Sequence, residues 1–254
     1  MDTALDVQVA SGYSSPSRRI RVITEAWFAK AMFCVACPAQ RLVPAPRNAR
    51  VVDFRCEQCG AEYQLKSTSR AVRGRLRDAA YSPMMERVLG NRTPHFAFLQ
   101  YDAGAWVIRN LILVPSHFIT SSVIERCRPL SGRARRHGWT GCNILLELIP
   151  PDGRLSAVSD GRFRSPDEVR REWERFKWLS GEPSETRGWL ADVLRCVRSL
   201  GDSFTLADVY NFEDELARLD PGNRHIRDKV RQQLQVLRDK GIVRFLGRGR
   251  YQLL

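Results

Sequence analysis

The sequence predicts a mixed-sheet α/β domain followed by a small α+β domain. Three observations carry this. Two near-continuous apolar segments, 95–101 and 105–115, flank the turn Asp102–Gly104 and read as paired central strands buried on both faces. Helical periodicity appears before and after them. The stretch SGEPSETRG at 180–188 has linker chemistry, and the residues beyond it carry a pattern of their own. The expected division is a flexible polar N-terminus over 1–17, a large domain over 18–182 and a small one over 183–254.

The elements follow in order. Ile20, Ile23, Trp27 and Ala31 recur at helical spacing between Arg18 and Phe33. Residues 50–55 and 61–66 read as short strands flanking a turn. Leu76, Ala79, Ala80, Met84, Met85 and Val88 predict a helix over 76–90, with Pro83 awkward inside it. After the paired strands comes a basic loop at 125–143. The segment NILLELI at 143–149 fits either a strand or a short helix, and 166–179 reads as helical.

Composition narrows the partner. Lys and Arg total 41 against 28 Asp and Glu, a net charge of +13 that suits a polyanion: DNA, RNA or an acidic membrane face. No apolar run approaches the ~18 residues that span a bilayer. The first residues carry two acids and no apolar core of a secretory signal, so no membrane role and a cytoplasmic location are expected. Seven cysteines, an odd number, do not suit a secreted disulfide framework.

Four of those cysteines form two CxxC pairs, Cys34/Cys37 and Cys56/Cys59, with 18 residues between them. A CxxC turn offers two thiolates from one tight knuckle, and two knuckles complete a tetrahedral four-thiolate site for structural Zn2+. Cys127, Cys142 and Cys196 read as ordinary buried residues.

Around the second knuckle lies a possible acid-and-lysine site. Asp53 precedes it, and Glu62, Gln64 and Lys66 follow on one face of a strand. With the knuckle as the turn of a hairpin, Asp53 comes opposite that face. One carboxylate and a second oxygen ligand can hold Mg2+, and a lysine can orient or deprotonate the attacking water. Alone, such a pattern also describes a surface hairpin with solvated charges.

The basic loop carries Arg126, Arg133, Arg135 and Arg136, then His137 and Trp139 between Gly138 and Gly141. Arginines hold phosphates or read guanine edges, and a Trp face suits a methyl group in the major groove. Trp139 fits a core position as well.

Residues 188–254 read as three helices and a hairpin. Thr205 caps the second helix with Asp208 at its third position. The third helix starts near Asn223, with Ile226, Val230, Leu234 and Leu237 as its apolar stripe and Gly241 as its stop. Its other face shows Arg224, Arg227, Arg231 and Gln232, residue types that read base edges. Arg248, between Gly247 and Gly249, marks the tip of a basic hairpin. That is the winged-helix pattern for duplex DNA. No cluster of stacking aromatics favours single-stranded RNA.

These motifs together resemble the DpnI family of methyl-directed restriction endonucleases. RVITEAWF at 21–28, both CxxC pairs, Asp53 followed by Glu62–Lys66, ARRHGWTGCNI at 134–144, SETRGW at 184–189 and IRDKVRQQLQVLRDKGI at 226–242 occur in the family's order. The resemblance covers about residues 18–254. It implies a PD-(D/E)xK nuclease core with Asp53, Gln64 and Lys66 as catalytic residues and Mg2+ on Asp53 and Gln64. It also implies a methyl-adenine reader around Trp139, and cleavage of both strands of adenine-methylated double-stranded DNA at GATC. Two readers on one chain suit a monomer. One departure stands out: the family has an acid where this chain has Gln64. The amide lends Mg2+ an oxygen without charge, Glu62 is a nearby substitute, and a methyl-DNA reader without catalysis is the alternative.

Overall fold

The computed structural model describes residues 2–46 and 51–254. Helix α1 (Pro16–Ala31) leads into the short strands β1 (Val43–Pro44) and β2 (Phe54–Arg55). Then come β3 (Glu62–Thr68), β4 (Arg75–Ala80), α2 (Tyr81–Leu89), β5 (His95–Asp102) and β6 (Val107–Val114). After β7 (Ile124–Arg126) and β8 (Gly141–Leu145) the chain forms β9 (Leu155–Ser159), β10 (Arg162–Phe163) and α3 (Pro166–Phe176). The C-terminal part holds α4 (Ser184–Ser199), β11 (Ser203–Thr205), α5 (Leu206–Tyr210), α6 (Glu213–Leu219), α7 (Ile226–Asp239), β12 (Val243–Gly247) and β13 (Arg250–Leu253).

The large sheet has the order β1-β2-β3-β5-β6-β9-β10, and β3–β5 is its one parallel pair among the described residues. Strict alternation divides its side chains between two cores. Tyr63, Ala97, Leu99, Leu111 and Leu113 face the core under α1 and α3. Phe96, Phe98 and Val114 face the other, which runs under α2 and α4 into the C-terminal helices. Gln64 and Lys66, one residue out of step with Tyr63, share the second face. A smaller sheet, β4-β8-β7, closes over that face.

Several expectations change. The N-terminal residues, read as flexible, are tied to the sheet. Ala4 bridges Val107, the Leu5 N–H donates to the Trp106 carbonyl at 2.8 Å, and Leu5 is buried. Ala10 is buried as well, and the Trp27 indole N–H donates to the Asp2 carbonyl at 3.0 Å. Residues 76–80 are strand β4, not helix, because they pair with Gly141–Leu145. The helix starts only at Tyr81, which puts Pro83 in its first turn, where the missing N–H has no intrahelical partner to lose. The strand expected over 50–55 is confined to Phe54–Arg55, and Arg50 lies outside the described residues. NILLELI divides into the end of β8 and a single 3-10 turn. Much of the expected linker is helical: α4 begins at Ser184, leaving only Glu182 and Pro183 between helical segments.

In the C-terminal part, Thr205 and Asp208 form a reciprocal capping box, as their spacing requires. The helix that follows is broken at Asn211–Phe212 into α5 and α6. Helix α7 buries Ile226, Val230, Leu234 and Leu237 and stops before Gly241, whose φ is 68°. A three-stranded sheet, β11-β13-β12, packs beside it and completes a winged helix.

Candidate active site and nucleic-acid surfaces

The four cysteine Sγ atoms lie within 4.8 Å of one another. Cys34 Sγ is 3.6 Å from Cys59 Sγ, and Cys37 Sγ is 3.5 Å from Cys56 Sγ. Zn–S bonds of about 2.3 Å set tetrahedral S–S edges near ~3.8 Å, so the donor set fits a closed structural zinc site. Local hydrogen bonds hold the knuckle. The Cys56 N–H donates to the Ala61 carbonyl, and Gly60 turns the chain at φ 77°. The Tyr63 hydroxyl accepts from the Val35 N–H at 3.0 Å and sits 3.2 Å from Cys34 Sγ. Arg170 of α3 donates to the carbonyls of Cys34 and Ala39, both at 3.0 Å.

The knuckle is the turn between β2 and β3, and its register sets the acid-and-lysine site. Phe54 pairs with Tyr63, so Asp53 stands one step further on, level with Gln64. The Asp53 N–H donates to the Tyr63 carbonyl, and its carboxylate accepts the Leu65 N–H, each at 2.9 Å. The other carboxylate oxygen lies 3.5 Å from an Arg21 guanidinium nitrogen. Gln64 is 5% exposed, too buried for a solvated surface hairpin.

A residue that sequence reasoning missed completes the cluster. Asp78 of β4, its side chain wholly buried, accepts from Gln64 Nε2 at 3.3 Å and is ion-paired with Lys66. Gln64 Oε1 and Asp78 Oδ2 are buried and make no hydrogen bond among the described residues. Two orphaned buried oxygens on touching side chains are the kind of hard donor that Mg2+ takes, so these residues fit the ion. Glu62, the expected substitute, is half-exposed and turned to Arg87 at 3.8 Å. The signal for Asp78 was only that an acid lies 12 residues beyond Lys66 in a segment read as helix.

Beside Lys66 opens a cleft of about 740 Å3 lined by Arg70, Arg73, Arg75, Arg77 and Phe98. These arginines, in the segment joining β3 to β4 and in β4 itself, also escaped the sequence reading. They give the cleft the charge of a phosphate-binding channel.

The basic loop leaves from the same place. Strand β8, which ends it, pairs with β4, and Cys142 donates to the Ala79 carbonyl at 3.4 Å. Burial, with Asp78 nearby, pushes the Cys142 thiol up to about 12. The loop closes on itself through Leu130 and Trp139: the Leu130 N–H donates to the Trp139 carbonyl at 2.9 Å. Arg126, Arg133, Arg135 and Arg136 are exposed, and Trp139 is half-exposed rather than core. Arg136 stacks on the Trp139 ring, and Arg126 on Tyr81. A Cβ on Gly141 would stand 2.8 Å from the indole, so glycine lets the ring lie close over the backbone.

On the winged helix, Arg224, Gln232 and Arg248 are exposed and without a hydrogen-bond or ion-pair partner among the described residues. Arg227 pairs with Glu213 at 2.7 Å and stacks on Tyr210. Arg231 pairs with Asp228 and donates to the Tyr210 hydroxyl. Gly247, Arg248 and Gly249 all have positive φ, which thrusts Arg248 out at the tip of the wing.

An α/β domain with a four-cysteine knuckle and a basic cleft, joined to a winged helix, defines a DNA-acting protein. The DpnI model, described as the Dam-replacing family, matches residues 1–182, and the Dam-replacing HTH domain model matches residues 185–253. The chain belongs to the DpnI family. No helix among the described residues is long and apolar enough to cross a membrane.

Proposed function

We propose that the protein is a methyl-directed restriction endonuclease that cleaves double-stranded DNA at GATC sites carrying N6-methyladenine, by Mg2+-dependent phosphodiester hydrolysis. The observation that carries this is the pair of orphaned buried oxygens beside Lys66 at the head of an arginine-lined cleft. Asp53 and Gln64 would hold Mg2+, which when bound would polarise the scissile phosphate and activate a water. Lys66, anchored by Asp78 yet 28% exposed, reaches the cleft and orients the attacking water by hydrogen bonding. Arg126, Arg133, Arg135 and Arg136 hold the DNA backbone while Trp139 meets the adenine methyl group. Arg224, Arg227, Arg231, Gln232 and Arg248 form a second DNA surface.

The working division is a nuclease part to residue 182 and a winged helix from 183, acting as a cytoplasmic monomer with both surfaces on one chain. Gln64 favours a second reading, a methyl-adenine reader without catalysis. The test is digestion of plasmid with and without adenine methylation at GATC, in Mg2+, beside Lys66→Ala. Fragments from methylated plasmid alone, lost in the variant, establish the nuclease. Methylation-dependent binding without cutting establishes the reader.

A further inference from the structure

Position 64 is where the resemblance implies an acid and this chain carries an amide, yet the site is not short of one. Asp78 enters from a different sheet and lies against both Gln64 and Lys66. Its two oxygens are used unequally. Oδ1 faces the Gln64 amide nitrogen and the Lys66 ammonium, while Oδ2 has no hydrogen-bond partner among the described residues. A carboxylate only accepts hydrogen bonds, so Gln64 must turn its nitrogen toward Asp78, which leaves Gln64 Oε1 unpartnered too. One buried acid with a free oxygen therefore sets the orientation of the amide beside it.

Charge leads to the same place. Asp53 and Lys66 alone sum to zero, which gives a divalent cation no net attraction. Arg21 lies 3.5 Å from Asp53 as well, so Asp78 supplies the second carboxylate that offsets these cations, as an acid at position 64 would.

We propose that Asp78 supplies the carboxylate that position 64 lacks, its free oxygen acting as a cation ligand alongside Asp53 and Gln64 Oε1. The inference rests on the nuclease reading. It makes Gln64 an uncharged ligand positioned by Asp78, and the catalytic acids Asp53 and Asp78.

The test is Mn2+ binding by the full-length, zinc-loaded chain without DNA, followed by loss of the free-ion electron paramagnetic resonance signal. Asp78→Asn should weaken Mn2+ by roughly tenfold or more. The double variant Gln64→Glu with Asp78→Asn should return binding to near the wild-type value. Gln64→Glu alone should change it little, since the site already holds its charge. Wild-type affinity in Asp78→Asn, or a gain of about tenfold from Gln64→Glu alone, overturns the proposal and leaves the nuclease reading standing. Should Asp78→Asn lose its zinc or its native circular dichroism, the Gln64→Glu result decides by itself. Absence of Mn2+ binding by the wild-type chain overturns both.

Discussion

The Arg136 guanidinium lies 4.8 Å from the centre of the Trp139 ring, on a loop whose base is strand-paired to the element carrying Asp78. The cation occupies one surface of a half-exposed indole. Trp139→Ala should erase the preference for adenine-methylated duplex and spare affinity for unmethylated duplex. Competition binding with the two DNAs reads this directly. Equal loss on both would make the indole a scaffold rather than a reader.

The exposed cations of the winged helix should behave as phosphate or base contacts. Arg248→Ala and Arg224→Ala should each lower the dependence of log affinity on log salt by about 1 if the residue neutralises a phosphate. An unchanged slope with relaxed sequence preference would reassign it to a base edge. Affinity measured across a salt series separates the two.

Zinc removal should unfold the knuckle, because ligand binding there is folding energy. Stripping the ion with a chelator should expose the 32–66 region to protease and disturb Asp53, whose carboxylate is held by the strand the knuckle starts. A chelated protein with unchanged proteolysis and circular dichroism would count against the four-cysteine site.

Acid stability should depend on two buried imidazoles. Burial lowers His95 to about 4 and His117 to about 3, so both stay neutral in the folded chain. Their folded values lie below the unfolded one, so their contribution is present above about pH 6.5 and lost as pH falls toward 4. Asp192 acts in the opposite sense. Burial raises it to about 7, so the fold loses stability as pH rises from about 4 to 7. His117→Leu should flatten the fall in melting temperature between pH 6.5 and 5, and Asp192→Asn should steepen it. Thermal melts at four or five pH values show both signs.

Leu5 should matter more than its place in the chain suggests. Leu5→Ala removes a buried side chain beside Trp106 and should cost about 2 kcal/mol, or ~4–8 °C in melting temperature. A melt unchanged by the substitution would mean that the N-terminal bridge contributes nothing.

What was legible in the sequence and what was not differ for physical reasons. The cysteine quartet declared itself because metal geometry fixes both ligand type and spacing. The central strands were legible because burial on both faces leaves no polar alternation. Helix α7 and its wing were legible because stripe, stop and turn agree. Strand β4 was not. Leu76, Ala79 and Ala80 fall at helical spacing, and only pairing with β8, more than 60 residues on, overrides that local pattern. Asp78 was hidden for the same reason: read as helix, it has no fixed relation to Lys66, whereas in β4 it lies against it. The break at Asn211 was likewise invisible, since Phe212 continues the apolar rhythm into α6.

Helix α4 has a consequence for how the molecule can change. Ser122 donates to Asp192, Arg198 is paired with Asp152, and Arg187 donates to Asn91, all tying this helix to the segments that precede it. On its other side Trp189 donates to Asp220, and one continuous core runs from Phe96 to Ile242. The DNA-reading tail is therefore not a detachable cassette. Replacing it with a tail of different specificity would succeed only if the newcomer carried the same helix face, whereas exposed positions of α7 and the wing can change without disturbing that joint.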